Sequence, residues 1–344
     1  MKKVKRSVKI VIAVALVIVL LLSSGVIFYL SKLNLIQFSN GKFTWSGSPD
    51  MSDSDTLDEE SRMNEAIADL EERDAIDATG EIYKDKRFLN ILLIGTDERA
   101  ENFSENARGD SCMIMSIGKK DGSLKLASLE RGMGVPILEG KYKGQYDWLT
   151  HTFRYGGADL MMREVRECFK VDVERYIRVN FTTFKKGIDS VGGIDITLTA
   201  AEAAYVNAGT KRKIYTEGKN HLDGTAALSY ARCRHIDSDW HRIERQRNVI
   251  QAVVTKTKDL SIVELNTLLN NVLPLVQTNL TRLEITELLL SAPKYRGVQI
   301  KQMTVPISGS YGGMRGLGGR SLFSVDFDTN AKALREFIYG VTSE

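Results

Sequence analysis

Between Ile10 and Leu30 the chain runs for 21 residues without a charged side chain, directly after Lys2, Lys3, Lys5, Arg6 and Lys9. A helix needs about 20 apolar residues to cross a hydrocarbon core of about 30 Å. Lysine and arginine stay on the cytoplasmic side, so the pattern predicts a single-pass cell-membrane anchor, N-terminus inside and C-terminal domain extracellular. A cleaved signal peptide is the rival reading, with Ser23-Ser24-Gly25 as its cleavage region, but such an apolar core is ordinarily shorter and ends in A-x-A.

Four segments follow from this start: a basic cytoplasmic tail at 1–9, the anchor at 10–30, an extracellular tether and acidic stalk at 31–80, and a folded domain at 81–344. The stalk carries Asp53, Asp55, Asp58, Glu59, Glu60, Glu65, Asp69, Glu71, Glu72, Asp74 and Asp77. Met63, Ile67 and Leu70 fall near helical spacing, and the segment reads as a solvated charged spacer. The whole chain is 43% hydrophobic with a formal net charge of +3. That balance excludes a nucleic-acid binder, which carries a basic excess over a whole domain. Cys112, Cys168 and Cys233 have neither CxxC nor zinc spacing with the four histidines, which argues against a disulfide or zinc scaffold.

The domain opens with Leu89–Ile94, a continuous apolar run ending in Gly95-Thr96-Asp97, as in a strand covered on both faces. Strands are expected at Cys112–Ile117 and Leu124–Leu129, joined through Asp121-Gly122, and at Tyr176–Phe181, Ile194–Leu198 and Val298–Val305. Helices are expected at Ala158–Phe169, Phe184–Val191, Arg242–Lys258, Leu260–Leu275, Leu283–Leu290 and Asn330–Tyr339. Alternating strands and helices predict an α/β fold, a central mixed sheet flanked by helices and preceded by one transmembrane helix.

The densest chemistry is Tyr230-Ala231-Arg232-Cys233-Arg234, followed by Arg242-Ile243-Glu244-Arg245-Gln246. If the first segment is a strand, Arg232 and Arg234 share a face and Cys233 points to the core. If the second is a helix, Arg242 and Arg245 share a face beside Gln246. Four guanidinium groups aimed at one point suit a pyrophosphate, because each donates paired charge-assisted hydrogen bonds and never deprotonates. Asp97 and Asp110 fall at strand ends, where two carboxylates beside phosphate oxygens suit Mg²⁺. Arg131, after the third strand, reaches the same edge as a fifth phosphate ligand.

Taken in order, these pieces resemble the LytR-CpsA-Psr family of cell-envelope proteins. They are Asn90-Ile91-Leu92-Leu93-Ile94-Gly95-Thr96-Asp97-Glu98-Arg99, Arg108-Gly109-Asp110-Ser111, Tyr155-Gly156-Gly157, Val191-Gly192-Gly193-Ile194, Leu222-Asp223-Gly224-Thr225-Ala226-Ala227-Leu228 and the two arginine segments. The resemblance runs from about Asn90 to Thr255. It implies an extracytoplasmic transferase that moves a glycopolymer phosphate from a polyprenyl-pyrophosphate carrier to peptidoglycan and releases polyprenyl monophosphate. Carried over, Arg232, Arg234, Arg242 and Arg245 bind the pyrophosphate, Arg99, Arg108 and Gln246 line the head-group site, and Asp97 and Asp110 hold Mg²⁺. Arg131 and Asp110 are the catalytic candidates, and the general base is unassigned. A non-catalytic binder of lipid-linked intermediates and a polyprenyl-pyrophosphate hydrolase share the same site. The chain departs from the family at Ser128-Leu129-Glu130-Arg131-Gly132, where Ser-x-Pro-Arg-Asp is usual, and at Trp148–Phe153, in place of Lys-x-Asn-x-Ala-Tyr. Both departures lie on one side of the expected site.

Overall fold

The computed structural model describes residues 31–43, 54–98, 103, 107–233 and 236–341. The expected anchor at 10–30 lies outside them, as do Arg99 and Arg234. Among the described residues no helix is long and apolar enough to cross a membrane.

The first half contains β1 (Gln37–Phe38), α1 (Ser54–Ile67), β2 (Phe88–Gly95), β3 (Ser111–Gly118), β4 (Leu124–Leu129), β5 (Gly134–Pro136), β6 (Tyr146–Trp148) and α2 (Leu149–Phe169). The middle adds β7 (Arg175–Val179), α3 (Phe181–Ser190), β8 (Ile194–Leu198), α4 (Ala200–Thr210), β9 (Gly218–Leu222), α5 (Gly224–Ala231) and α6 (Asp239–Lys256). The remainder is α7 (Ile262–Val272), β10 (Gln277–Thr278), α8 (Arg282–Ser291), β11 (Lys301–Val305), β12 (Tyr311–Arg315), β13 (Ser321–Val325) and α9 (Phe327–Tyr339).

The central sheet has the order β1-β10-β7-β2-β3-β4-β11. It is mixed: β2 is parallel to β7 and antiparallel to β3, and β11 is parallel to β4. The continuous apolar run of β2 is explained by helices on both faces. Leu92 and Ile94 join a core with Met161, Val165 and Phe169 of α2 and Leu334 and Ile338 of α9. On the opposite face Ile91 packs with Ile285 of α8, while Met113 and Leu126 meet Ile250 and Val254 of α6. A second core joins α3 to α7 and the β8–β9 ribbon through Ile188, Val206, Leu222, Tyr230 and Val249.

Several sequence expectations change. Tyr230–Arg234 does not begin as a strand. Asp223 accepts from the Ala226 amide at 2.8 Å and caps an Ala-rich helix that runs to Ala231, with Arg232 as its C-cap. The cap satisfies an amide that a helix start leaves open, and the alanines favour helix. The α2 helix begins at Leu149 rather than Ala158 and kinks at Gly156 and Gly157. Gly157 has φ +71, and a Cβ there would stand 2.2 Å from the Gly41 carbonyl oxygen. The ribbons β5–β6 and β12–β13 were not anticipated.

The acidic stalk is not a solvated spacer along its described length. Met63 of α1 is buried with Trp148, Leu322 and Phe323, and Ile67 and Leu70 pack beside them. Arg320 donates to Glu60 at 3.1 Å and to Asp147 at 2.7 Å. The chain then bridges at Glu72 to Gly313 and at Ile76 to Asp326. Asp58, Glu65, Asp69, Glu71, Glu72, Asp74 and Asp77 are exposed, whereas Glu60 turns to Arg320 on the docked side.

Candidate active site

β2, β3 and β7 converge at Gly95, which pairs with both Ser111 and Val179. Asp97 follows this point and Asp110 precedes Ser111, so both carboxylates stand at one end of the sheet. Above that end α3, α5 and α6 enclose a cavity of about 250 Å³. Its interior is apolar, formed by Leu93, Met113, Ile177, Phe181, Phe184 and Ile250. Its polar lining is Thr96, Asp110, Ser111, Asn180, Arg232, Arg242 and Gln246. The C-cap position of Arg232 leaves it exposed, with its guanidinium 4.4 Å from the Phe181 ring centroid. Ser111 donates to Gln246 Oε1 at 2.9 Å, which orients the amide.

Arg242 and Arg131 are buried and share one partner, Asp239. Arg131 Nε lies 3.2 Å and Arg242 Nη2 3.3 Å from Asp239 Oδ2. Arg131 Nη1 is 3.8 Å from Asp110 Oδ1. Burial makes each guanidinium costly without counter-charge, and Asp239 and Asp110 supply it. Arg242, Arg232, Gln246 and Asp110 meet at one cavity, whereas Arg131 stands behind Asp110 and lines a neighbouring cavity instead.

Arg245 does not join them. It donates to Glu202 at 2.7 Å and to the Cys233 carbonyl at 3.1 Å, and it pairs with Asp237. Residues three apart on a helix diverge by about 60°, enough to send one to the cavity and the other into the α4 contact. Arg108 is buried against Asp97, to which its amide and Nε both donate at 3.2 Å. Cys233 is buried and its thiol is pushed up to about 11, chiefly by that burial, consistent with a packing residue. His241 is exposed beside Ser238.

Some site residues had not been singled out. Asp239 was recognisable only as an acid three residues before Arg242, Phe184 only as an apolar position of a helix, and Phe181 was expected to end a strand, whereas it opens α3. Glu130, noted as a departure, is 1% exposed and its pKa is pushed up to about 7. Burial is the main cause, with repulsion from Asp239 adding and Arg242 and Arg131 opposing. Arg178 is also buried, holds Glu98 at 2.5 Å, and lies between the rings of Phe103 and Phe153.

Mg²⁺ holds hard oxygen donors and commonly takes only one or two carboxylates beside substrate phosphates. Asp97 and Asp110 fit that donor chemistry; among the described residues no group of three or more acidic, histidine or cysteine side chains gathers as a self-sufficient metal cage.

Comparison with known proteins agrees with this architecture. The model of the LytR_cpsA_psr family matches residues 53–335, and the chain belongs to that family. It is 33% identical over 197 residues to the polyisoprenyl-teichoic acid–peptidoglycan teichoic acid transferase TagU of Bacillus mycoides (strain KBAB4), covering 56% of this chain and 61% of that one. It is 33% identical over 181 residues to TagT of Bacillus subtilis (strain 168), which bears the same transferase name, covering 51% and 55%. The chain thus spans less than two-thirds of the length of these curated relatives. A solved structure of TagT bound to LIIa-WTA superposes with a TM-score of 0.59 at 25% identity, over 78% of this chain and 97% of that one.

Proposed function

We propose that the protein is a membrane-anchored phosphotransferase that moves a glycopolymer phosphate from a polyprenyl-pyrophosphate carrier to peptidoglycan. The observation that carries this reading is one cavity that joins an apolar interior to a mouth bearing Arg232 and Arg242. A prenyl tail gains by leaving water for the first, and a pyrophosphate gains charge-assisted hydrogen bonds at the second. The transferase names of the TagU and TagT relatives support the same donor and acceptor.

In the reaction an acceptor hydroxyl oxygen bonds to the glycan-bearing phosphorus. The bridging P–O bond breaks, and polyprenyl monophosphate leaves with the electron pair. Arg232 and Arg242 neutralise charge on the phosphoryl oxygens as it spreads, and they need no reorganisation because Asp239 and the Phe181 ring already hold them. Gln246, held by Ser111, donates its amide N–H to the head group. Asp97 and Asp110 would hold Mg²⁺, which supplies further charge neutralisation at the pyrophosphate. The run at Ile10–Leu30 keeps the domain at the outer membrane surface, where a lipid-borne donor resides. The test is polyprenyl monophosphate release from a saccharide-pyrophosphate lipid by the full chain. Arg242→Ala and Arg232→Ala are each expected to lower it by about 10²-fold or more; unchanged rates in both would remove this site.

A further inference from the structure

A second cavity, of about 440 Å³, lies on the other side of Arg131. Its walls include Arg62 and Met63 of α1, Glu130, Asp237, Asp239 and Trp240. The two cavities share a wall: Asp239 lines the second and holds Arg131 and Arg242, while Arg242 and Asp110 line the first. Trp240 is partly exposed and belongs to an aromatic cluster, 5.6 Å from Tyr311 and 6.1 Å from Phe323 between ring centroids. A ring face among carboxylates and an arginine suits a saccharide, which presents C–H groups to the ring and hydroxyls to the charges.

Glu130 is the most deeply buried group in this wall. One of its carboxylate oxygens accepts from the Gly132 amide at 3.2 Å, and the other is buried without a hydrogen-bond partner among the described residues. An unmatched carboxylate oxygen costs stability unless something supplies a donor. The departures from the family pattern gather at the same place. A Cβ at Gly132 would lie 2.0 Å from Met63 Cε, so glycine makes room for α1, and Trp148 packs against the same methionine.

We propose that this cavity is the acceptor site, where a sugar of the glycan strand stacks on Trp240 and Glu130 takes the proton of its attacking hydroxyl. This rests on the transfer reading given above. The hydroxyl O–H bond breaks as the O–P bond forms. The proton passes to the unpartnered oxygen of Glu130, and the polyprenyl monophosphate leaves from the side of the apolar cavity. Approach through one cavity and departure through the other place the two oxygens on opposite sides of the phosphorus, as in-line displacement requires. Charged groups facing Glu130 are Arg131 from its own turn and Asp239 and Arg242 from α6; α1 brings Met63 against it, with Arg62 and Glu65 lining the cavity.

The test uses the full chain in detergent micelles, a polyprenyl-pyrophosphate-linked saccharide as donor and soluble glycan-strand fragments as acceptor. Polyprenyl monophosphate release is followed across pH 5–9, with donor binding measured separately. Glu130→Gln is expected to lower acceptor-dependent kcat by about 10²-fold, remove the inflection near pH 7 and leave donor binding intact. Trp240→Ala is expected to raise the acceptor KM about tenfold without moving the donor KM. Wild-type release with both variants unchanged overturns the acceptor site alone. Donor binding with no release by the wild type, whatever the acceptor, overturns the transfer reading and this site with it.

Discussion

Arg242 and Arg245 are one helical step apart and do different work. Arg242 meets the cavity through Asp239, whereas Arg245 is buried between Glu202 and Asp237 and fastens α6 to α4 and the preceding turn. Removing Arg245 takes the charge partner from the largely buried Glu202 carboxylate, which keeps only the Thr199 amide, so Arg245→Ala is expected to destabilise the fold by about 3 kcal/mol, read as a lowered Tm. Arg232→Ala, at an exposed cap, should leave Tm nearly unchanged while abolishing release. Equal Tm losses in the two variants would contradict this division. The arginines were recognisable in the sequence as an anion site, but their separate fates were not. Which side of a 60° divergence meets the ligand depends on Glu202, which is distant along the chain. Glu130 adds a pH dependence. Its carboxyl is raised from 4.5 to about 7 on folding, so the folded state favours its neutral form. That contribution is full below pH 4.5 and is lost as pH rises through about 7. Glu130→Gln should therefore flatten the fall in Tm between pH 5 and 8.

At the scale of elements, α1 is the least expected feature. Its apolar positions Met63 and Ile67 are diluted by acids, and their partners Trp148, Leu322 and Phe323 lie far along the chain, so local pattern could not reveal the docking. The strand β2 was legible because both of its faces are covered, which forces an unbroken apolar run. The start of the arginine segment was not, because alternating arginines imitate strand periodicity while the Asp223 cap and the alanines carry a helix through Tyr230 and Ala231. Met63→Ala should cost about 2–4 kcal/mol through a cavity under α1. Gly132→Asp, which restores the usual family residue, forces Met63 aside and buries a carboxylate. It should lower Tm, and Met63→Ala combined with it should recover part of the loss. No recovery would mean that the Met63 contact does not explain the glycine. A chain truncated before Glu81 loses α1 and should expose Trp148 and Phe323, with a lower Tm than one beginning at Ser54.

For the whole molecule, the mixed sheet brings β2, β3 and β7 to one end, and the lobe of α3 to α6 closes over it. The fold class was readable from alternating strands and helices. The two cavities were not: the walls of the first come from β2, β3, β7, α3, α5 and α6 and those of the second from α1, the turn after β4 and α6, elements that meet only in three dimensions. The expected anchor predicts that deleting residues 1–30 releases the protein from membranes into the soluble fraction; retention on membranes would assign the attachment elsewhere.

The most direct measurement compares polyprenyl monophosphate release by the full chain and its Arg242→Ala variant, with Mg²⁺ and a saccharide-pyrophosphate lipid, with and without glycan-strand acceptor. Release that needs the acceptor and is lost in the variant is the expected result. Release by the variant at the wild-type rate, or release that ignores the acceptor, would contradict a transferase working from this cavity.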